Sequence, residues 1–195
     1  NKFTYHAHAL KSPKIKNEKI FIAVGRFHEA KDYPNLIQAY TLLSKNKNHF
    51  PITLKIVGQI DEFIYPIVRK LVDSSQLTDN VEIMGKRDDI PDLLAQADFL
   101  VLSSKYEGLP TVVIEAMASG TFVIATDCGG TAEIMGDTGI LVPPQDSQAL
   151  AQAMQQALSL TDEQIEVNNK RARKRIEELF SLEKSVEKWL EIYTA

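Results

Sequence analysis

The chain has very little sulfur chemistry available to it. Its 195 residues hold one cysteine, Cys128, so an internal disulfide is excluded and no clustered-thiol metal site exists. No apolar run approaches the length needed to span a bilayer. No secretory leader is visible and the first residue is Asn1, not Met. Basic residues are not in excess: the formal net charge is −4, which argues against a general nucleic-acid surface, so any anion site must be local. His6, His8, His28 and His49 show no metal-ligand spacing with a carboxylate or thiol. There is no Asp-any-Asp pair, and no Gly-any-Gly-any-any-Gly fingerprint of a dinucleotide site. Repeats and low-complexity tracts are also missing.

What remains is an ordinary globular composition, 44% hydrophobic and 25% charged, on a chain long enough for one sizeable core. Residues 1–19 read as a linker remnant and residues 20–195 as one domain, the arrangement expected of a piece of a longer protein. Short apolar runs at 20–24, 52–57, 81–84, 99–102, 121–125 and 139–142 predict buried strands. Between them, helical spacing predicts helices over 34–45, 62–75, 90–96, 111–119 and 147–158, with Ser147 as a cap. Residues 162–193 read as terminal helices. Alternation of this kind implies an α/β fold: a doubly wound parallel sheet with helices on both faces, which takes ligands at the carboxyl ends of its strands.

The segment 107–120, EGLPTVVIEAMASG, is the most informative in the chain. Glu115 lies in an otherwise apolar or small run, and a carboxylate removed from water needs a partner. Pro110 suits a helix start near Thr111, which leaves Glu107 in the loop before it. Thr111, Glu115 and Ser119, four apart, form one polar strip. Two readings stand: a ligand-facing strip, or a solvated helix edge preceded by an acid that the helix dipole favours. The loop after the first strand, GRFHEAKDY, places Gly25, Arg26 and Lys31 at the same sheet edge. Glycine permits close approach, and the two cations suit a phosphate, though two loop cations also suit plain solvated surface. His28 reads as exposed and inert. Gly129 and Gly130 read as a tight turn, Glu133 as a helix-start charge, and Cys128 as a small buried residue beside that turn.

Gly25-Arg26 with Lys31, then Glu107-any seven-Glu115 running into Ala-Met-Ala-Ser-Gly, then Gly129-Gly130 with Glu133, resembles the C-terminal half of a GT-B glycosyltransferase of the large retaining family 4, or group 1. The likeness covers residues 20–193. It implies a Rossmann-like domain, one half of a two-domain architecture, that binds a nucleotide-sugar donor. Arg26, Lys31 and Glu107 would then be the catalytic set. The two cations would hold the diphosphate, and Glu107 would face the donor sugar. Glu115 would accept from the ribose hydroxyls. Gly25, Gly108, Leu109 and Thr111 would line the site with main chain, and Gly85, Lys86 and Arg87 would lie against the base. No metal and no cofactor is implied beyond a UDP-, GDP- or ADP-linked sugar as co-substrate.

The implied partners are that donor, the missing N-terminal domain, and a glycan or lipid-linked acceptor, with no nucleic acid. The implied setting is cytoplasmic polysaccharide assembly, at the inner face of the membrane if the missing half touches it. Two positions depart from the family pattern. Gly58-Gln59-Ile60-Asp61 replaces a Gly-Asp-Gly-Pro-like turn, and Pro110 stands where some members have Gly. A phosphoacceptor signalling domain shares the fold but wants acids, not Gly25-Arg26, after the first strand. The remaining alternative is a non-catalytic nucleotide- or sugar-binding α/β module.

Overall fold

The structure, a computed structural model, describes residues 18–45 and 51–181, together with 184, 186, 189, 190 and 193. Of the linker expected over residues 1–19, residues 1–17 lie outside the described residues, as do His6, His8 and His49, and Lys19 belongs to the first strand instead. Six strands form one sheet: β1 Lys19–Val24, β2 Ile52–Val57, β3 Val81–Gly85, β4 Phe99–Leu102, β5 Phe122–Thr126 and β6 Ile140–Val142. Every pairing is parallel, in the order β3-β2-β1-β4-β5-β6. The helices are α1 Tyr33–Ser44, α2 Ile64–Ser74, α3 Ile90–Gln96, α4 Thr111–Ser119, α5 Thr131–Met135, α6 Ser147–Ser159 and α7 Asp162–Leu179.

Side-chain alternation along the strands feeds two cores. Phe21, Ala23, Phe99, Val101, Phe122 and Ile124 point to the face covered by α1, α2 and α6. Their neighbours Ile22, Leu100, Leu102, Val123 and Ala125 point to the face covered by α3, α4, α5 and the later turns of α7. Phe21 and Phe99 stack at 4.9 Å, and Phe122 meets Phe99 edge-on at 6.0 Å, which ties the three central strands together on the first face. This is the doubly wound, Rossmann-like sheet that the sequence pattern predicts.

Several boundaries differ, for local reasons. The first strand opens at Lys19, whose N–H donates to the Pro51 carbonyl at 2.9 Å. Helix α2 starts later than expected, because the Asp61 side chain accepts from the N–H groups of Phe63 and Ile64 at 2.8 and 3.0 Å and so organises the lead-in. Ser147 is not the cap of α6. Asp146 is: its carboxylate accepts from Ala149 N–H at 2.8 Å, and Ser147 becomes the first helical residue. A short 3-10 helix, Glu29–Lys31, arises where the sequence pattern predicts only loop, and helix α5 follows the Gly129-Gly130 turn with Glu133 in its first turn, as expected.

The chain winds outward from β1 to β2 and β3, then returns to place β4 on β1's other side. The carboxyl ends of β1 and β4 therefore flank the switch point of the sheet, where such folds open a crevice.

Candidate functional site

Two loops meet at that switch point, one after β1 and one after β4. The β1 loop is braced from behind. Gly25 N–H donates to Val57 O at 2.8 Å, Phe27 N–H to Gln59 O at 2.8 Å, and the Tyr33 hydroxyl to Gly25 O at 2.6 Å. Burial, and secondarily the Glu107 charge, push the Tyr33 phenol well above its ordinary pKa, so it stays a donor. Gly58 packs against this loop so closely that a Cβ on it would lie 1.8 Å from Gly25 O. The departure from the family's turn sequence thus keeps the one glycine this contact requires.

The exposed His28 is not idle: its Nδ1 accepts from Ala30 N–H at 3.2 Å and caps the 3-10 helix. Asp32 follows in the left-handed region at φ 46°. Burial raises its pKa, and Lys105, 3.9 Å away, works against that rise.

The β4 loop is stitched to main-chain carbonyls of the β1 loop. Lys105 N–H donates to Ala30 O at 2.7 Å, and the Ser103 hydroxyl to Lys31 O at 2.7 Å. These bonds bring Lys31 Nζ to 2.6 Å from Glu107 Oε1, with the two side chains only 20% and 13% exposed. Gly25 makes this possible: a Cβ there would sit 2.7 Å from Lys31 Cε. The same Glu107 oxygen accepts from the Ser104 hydroxyl at 2.6 Å.

Behind the β4 loop lies the turn after β5. Gly129, at φ 56°, lets the chain pass where a Cβ would be 2.0 Å from Glu107 O, and Gly130 N–H donates to Gly108 O at 2.7 Å. The two glycines are therefore a close approach to the site as well as a turn. Half-buried Cys128 donates to Ser104 O at 3.4 Å, beside Thr126, and burial raises its pKa.

The helix α4 begins at Thr111, as the sequence predicts, with Pro110 at its N-cap. Thr111 is exposed, Glu115 is half-buried and Ser119 is 2% exposed with no partner for its hydroxyl, so the strip runs from the crevice into the interior. The strip is fully buried only at its last residue, Ser119. Glu115 has no hydrogen bond or ion pair among the described residues, and burial alone raises its pKa. Gly108 and Leu109 are exposed, and their N–H groups find no acceptor among the described residues.

Arg26 is exposed and likewise without a partner among the described residues. Gly85 ends β3 at φ 66° and accepts from Gly58 N–H at 2.9 Å, which links the β3 loop to the β1 loop. Lys86 and Arg87 stand further out. The Arg87 guanidinium makes two bonds to Asp89, at 2.8 and 2.6 Å, so the side chain is occupied within its own loop. Gly25, Lys31, Glu107 and Gly108 are thus brought together, Gly85 is attached through Gly58, and Lys86 and Arg87 lie at the rim. Sequence reasoning missed Ser104 and Tyr33; it saw Gly58 and Gly129 but not their contacts. Among the described residues, no group of three or more His, Cys, Asp or Glu could hold a metal ion, and no helix is long and apolar enough to cross a membrane.

Known proteins resemble this chain in sequence and fold. The family described as Glycosyl transferases group 1 matches residues 18–160. N-acetyl-alpha-D-glucosaminyl L-malate synthase of Bacillus anthracis is 35% identical over 182 residues, 91% of this chain and 46% of that protein. The sucrose-phosphate synthase structure from Thermosynechococcus elongatus superposes with a TM-score of 0.85 at 31% identity, over 99% of this chain and 49% of that one. Anabaena Alr3699/HepE, solved in complex with UDP and glucose, shares the fold with a TM-score of 0.81 at 24% identity, over 91% of this chain and 48% of its own. The chain spans about half the length of the relatives it matches. With its family match running from the first described strand to the end of α6, the chain belongs to the group 1 glycosyl transferases.

Proposed function

We propose that this chain is the donor-binding, C-terminal half of a two-domain GT-B enzyme. That enzyme transfers a sugar, with retention and without a metal, from a nucleotide-diphospho-sugar to a glycan or lipid-linked acceptor. The observation that carries the reading is the Lys31–Glu107 pair at the β1/β4 switch point, with unpaired Arg26 in the same β1 loop and unpartnered Glu115 one helical turn into α4.

Lys31 and Arg26 hold the diphosphate and offset the charge that grows on the leaving nucleotide, the task a metal performs elsewhere. The free N–H groups of Gly108 and Leu109, with Thr111 at the start of α4, add donors for phosphate or sugar oxygens. Glu115 accepts from the ribose hydroxyls, which supplies the partner that its burial demands. Glu107 accepts from the donor sugar. The base lies against Gly85, Lys86 and Arg87 through main chain, in keeping with an Arg87 side chain already bound to Asp89. A fold relative solved in complex with UDP and glucose is in keeping with this reading. The missing half supplies the acceptor site and any contact with the inner face of the cytoplasmic membrane.

A calorimetric panel of UDP, GDP and ADP with their sugar conjugates tests this. One nucleoside diphosphate should bind, and Arg26→Ala or Lys31→Ala should each weaken it by about 1.5–3 kcal/mol, the worth of a charge-assisted contact. Arg26→Ala should leave the melting temperature unchanged, because the side chain is exposed and unpaired. Failure of every nucleotide to bind would remove the reading.

A further inference from the structure

We propose that Ser104 is a positioning residue that aims the Glu107 carboxylate. It ties down one oxygen and leaves the other for the hydroxyls of the donor's sugar. The proposal rests on the donor-binding reading above.

A carboxylate offers about four acceptor positions, two on each oxygen. In Glu107 both bonds fall on Oε1, from Lys31 Nζ and from Ser104 Oγ, each at 2.6 Å. Oε2 has no partner among the described residues. The carboxylate is thus split into a held oxygen and an open one that can only accept. A ligand matching the open oxygen must donate, as sugar hydroxyls do and an unprotonated phosphate does not.

The two holding groups differ in permanence. Lys31 is a cation on a flexible stem, and a bound diphosphate competes for it. Ser104 is uncharged and 0% exposed, and no ligand reaches it. Its main chain is anchored from the next strand, through Thr126 Oγ1 to Ser104 O at 2.7 Å and Cys128 Sγ to the same oxygen at 3.4 Å. The other end of the segment is fixed by Gly129, packed under the Glu107 carbonyl. With the main chain set at both ends, the remaining freedom is the Glu107 side-chain torsions. Once the diphosphate draws Lys31 away, the Ser104 hydroxyl alone restrains them.

This separates a positioning role from a structural one. Ser104→Ala keeps the carbonyl, and so keeps the anchors to Thr126 and Cys128; only the bond to Glu107 is lost. The test is calorimetry of the wild type, S104A, E107Q and the double variant with UDP and UDP-glucose, GDP and GDP-mannose, and ADP and ADP-glucose. For the pair that binds, S104A should weaken the sugar-bearing ligand about five- to tenfold and change the free diphosphate less than twofold. In the E107Q background S104A should have no further effect on that ratio. Equal losses on both ligands, no loss, or full additivity with E107Q would overturn the proposal.

If no nucleotide binds the wild type, the donor-binding reading fails on its own, and the positioning claim is read without ligand. The Lys31 ammonium should then give a resolved NMR resonance in the wild type, slowed in exchange by its hold on Glu107, and should broaden in S104A. An unchanged resonance overturns it. Should S104A not fold, S104C, which keeps a weak donor, should show the same selective loss to a smaller extent, and loss of both ligands together would count against it.

Discussion

Among the candidate site residues, Glu115 carries the clearest energetic cost. Burial disfavours its charged form, and no described neighbour offsets that cost. Its folded pKa is therefore raised above the ordinary value of 4.5, which the unfolded chain retains. The stabilising contribution of this group is present in full below that value and is lost as pH rises through the raised folded pKa. Glu115→Gln mimics the neutral form. It should raise the melting temperature at pH 7, and the gain should shrink to nothing as pH falls below about 4.5. The same variant should weaken nucleoside diphosphate and nucleotide sugar alike, because the ribose is common to both. Stability and affinity moving in opposite directions would mark a carboxylate kept for binding; a variant less stable at pH 7 would show that Glu115 has a structural partner instead. This residue, with Arg26, Lys31 and Glu107, was legible in the sequence, because a charge in an apolar run or a glycine loop stands out. Ser104 was not. Serine is common in loops, and its bond to Glu107 depends on the turn that two intervening residues make.

At the scale of elements, the loops after β1, β4 and β5 behave as one assembly, and glycines let them interlock. Gly129 holds a left-handed conformation and sits against the Glu107 carbonyl. Gly129→Ala should cost about 1–2 kcal/mol for the backbone conformation alone, with more for the clash, and should weaken sugar-bearing donors by moving Glu107. Urea unfolding beside calorimetry checks both; a silent substitution would mean the two turns do not support each other. The sequence marked the Gly-Gly pair as a turn, and periodicity cannot say what passes beneath a turn. The same limit applies to α6. Asp146 and Ser147 are both capping residues by type, and only the dihedral at Asp146, φ −117° and ψ 93°, decides between them. Asp146→Ala should cost roughly 0.5–2 kcal/mol and Ser147→Ala much less, read as a difference in urea midpoint. The strands were predicted to within about one residue, because each of the six carries a short apolar run.

At the scale of the whole molecule, parallel strands separated by helices left few topologies open, and the observed order is one of the doubly wound solutions. What the sequence could not supply is adjacency. That Lys31 meets Glu107, 76 residues away, follows from β4 returning to lie beside β1. Both cores close within the described residues, the sheet faces being covered by the chain's own helices. The chain should therefore fold by itself, with a single cooperative unfolding transition, and should bind its nucleotide. It should not transfer sugar. In the proposed reading the candidate residues serve a diphosphate, a ribose, a donor sugar and a base. None is left to orient an acceptor hydroxyl. Holding two substrates in register is worth about 7–11 kcal/mol of a reaction barrier, and one wall of a cleft holds one substrate. The expected result is donor binding with no acceptor-dependent turnover in a radiolabelled-sugar assay, and turnover once the other half of the protein is supplied. Acceptor-dependent transfer by these 195 residues alone would require the acceptor site to lie within this sheet, and would overturn the two-domain reading.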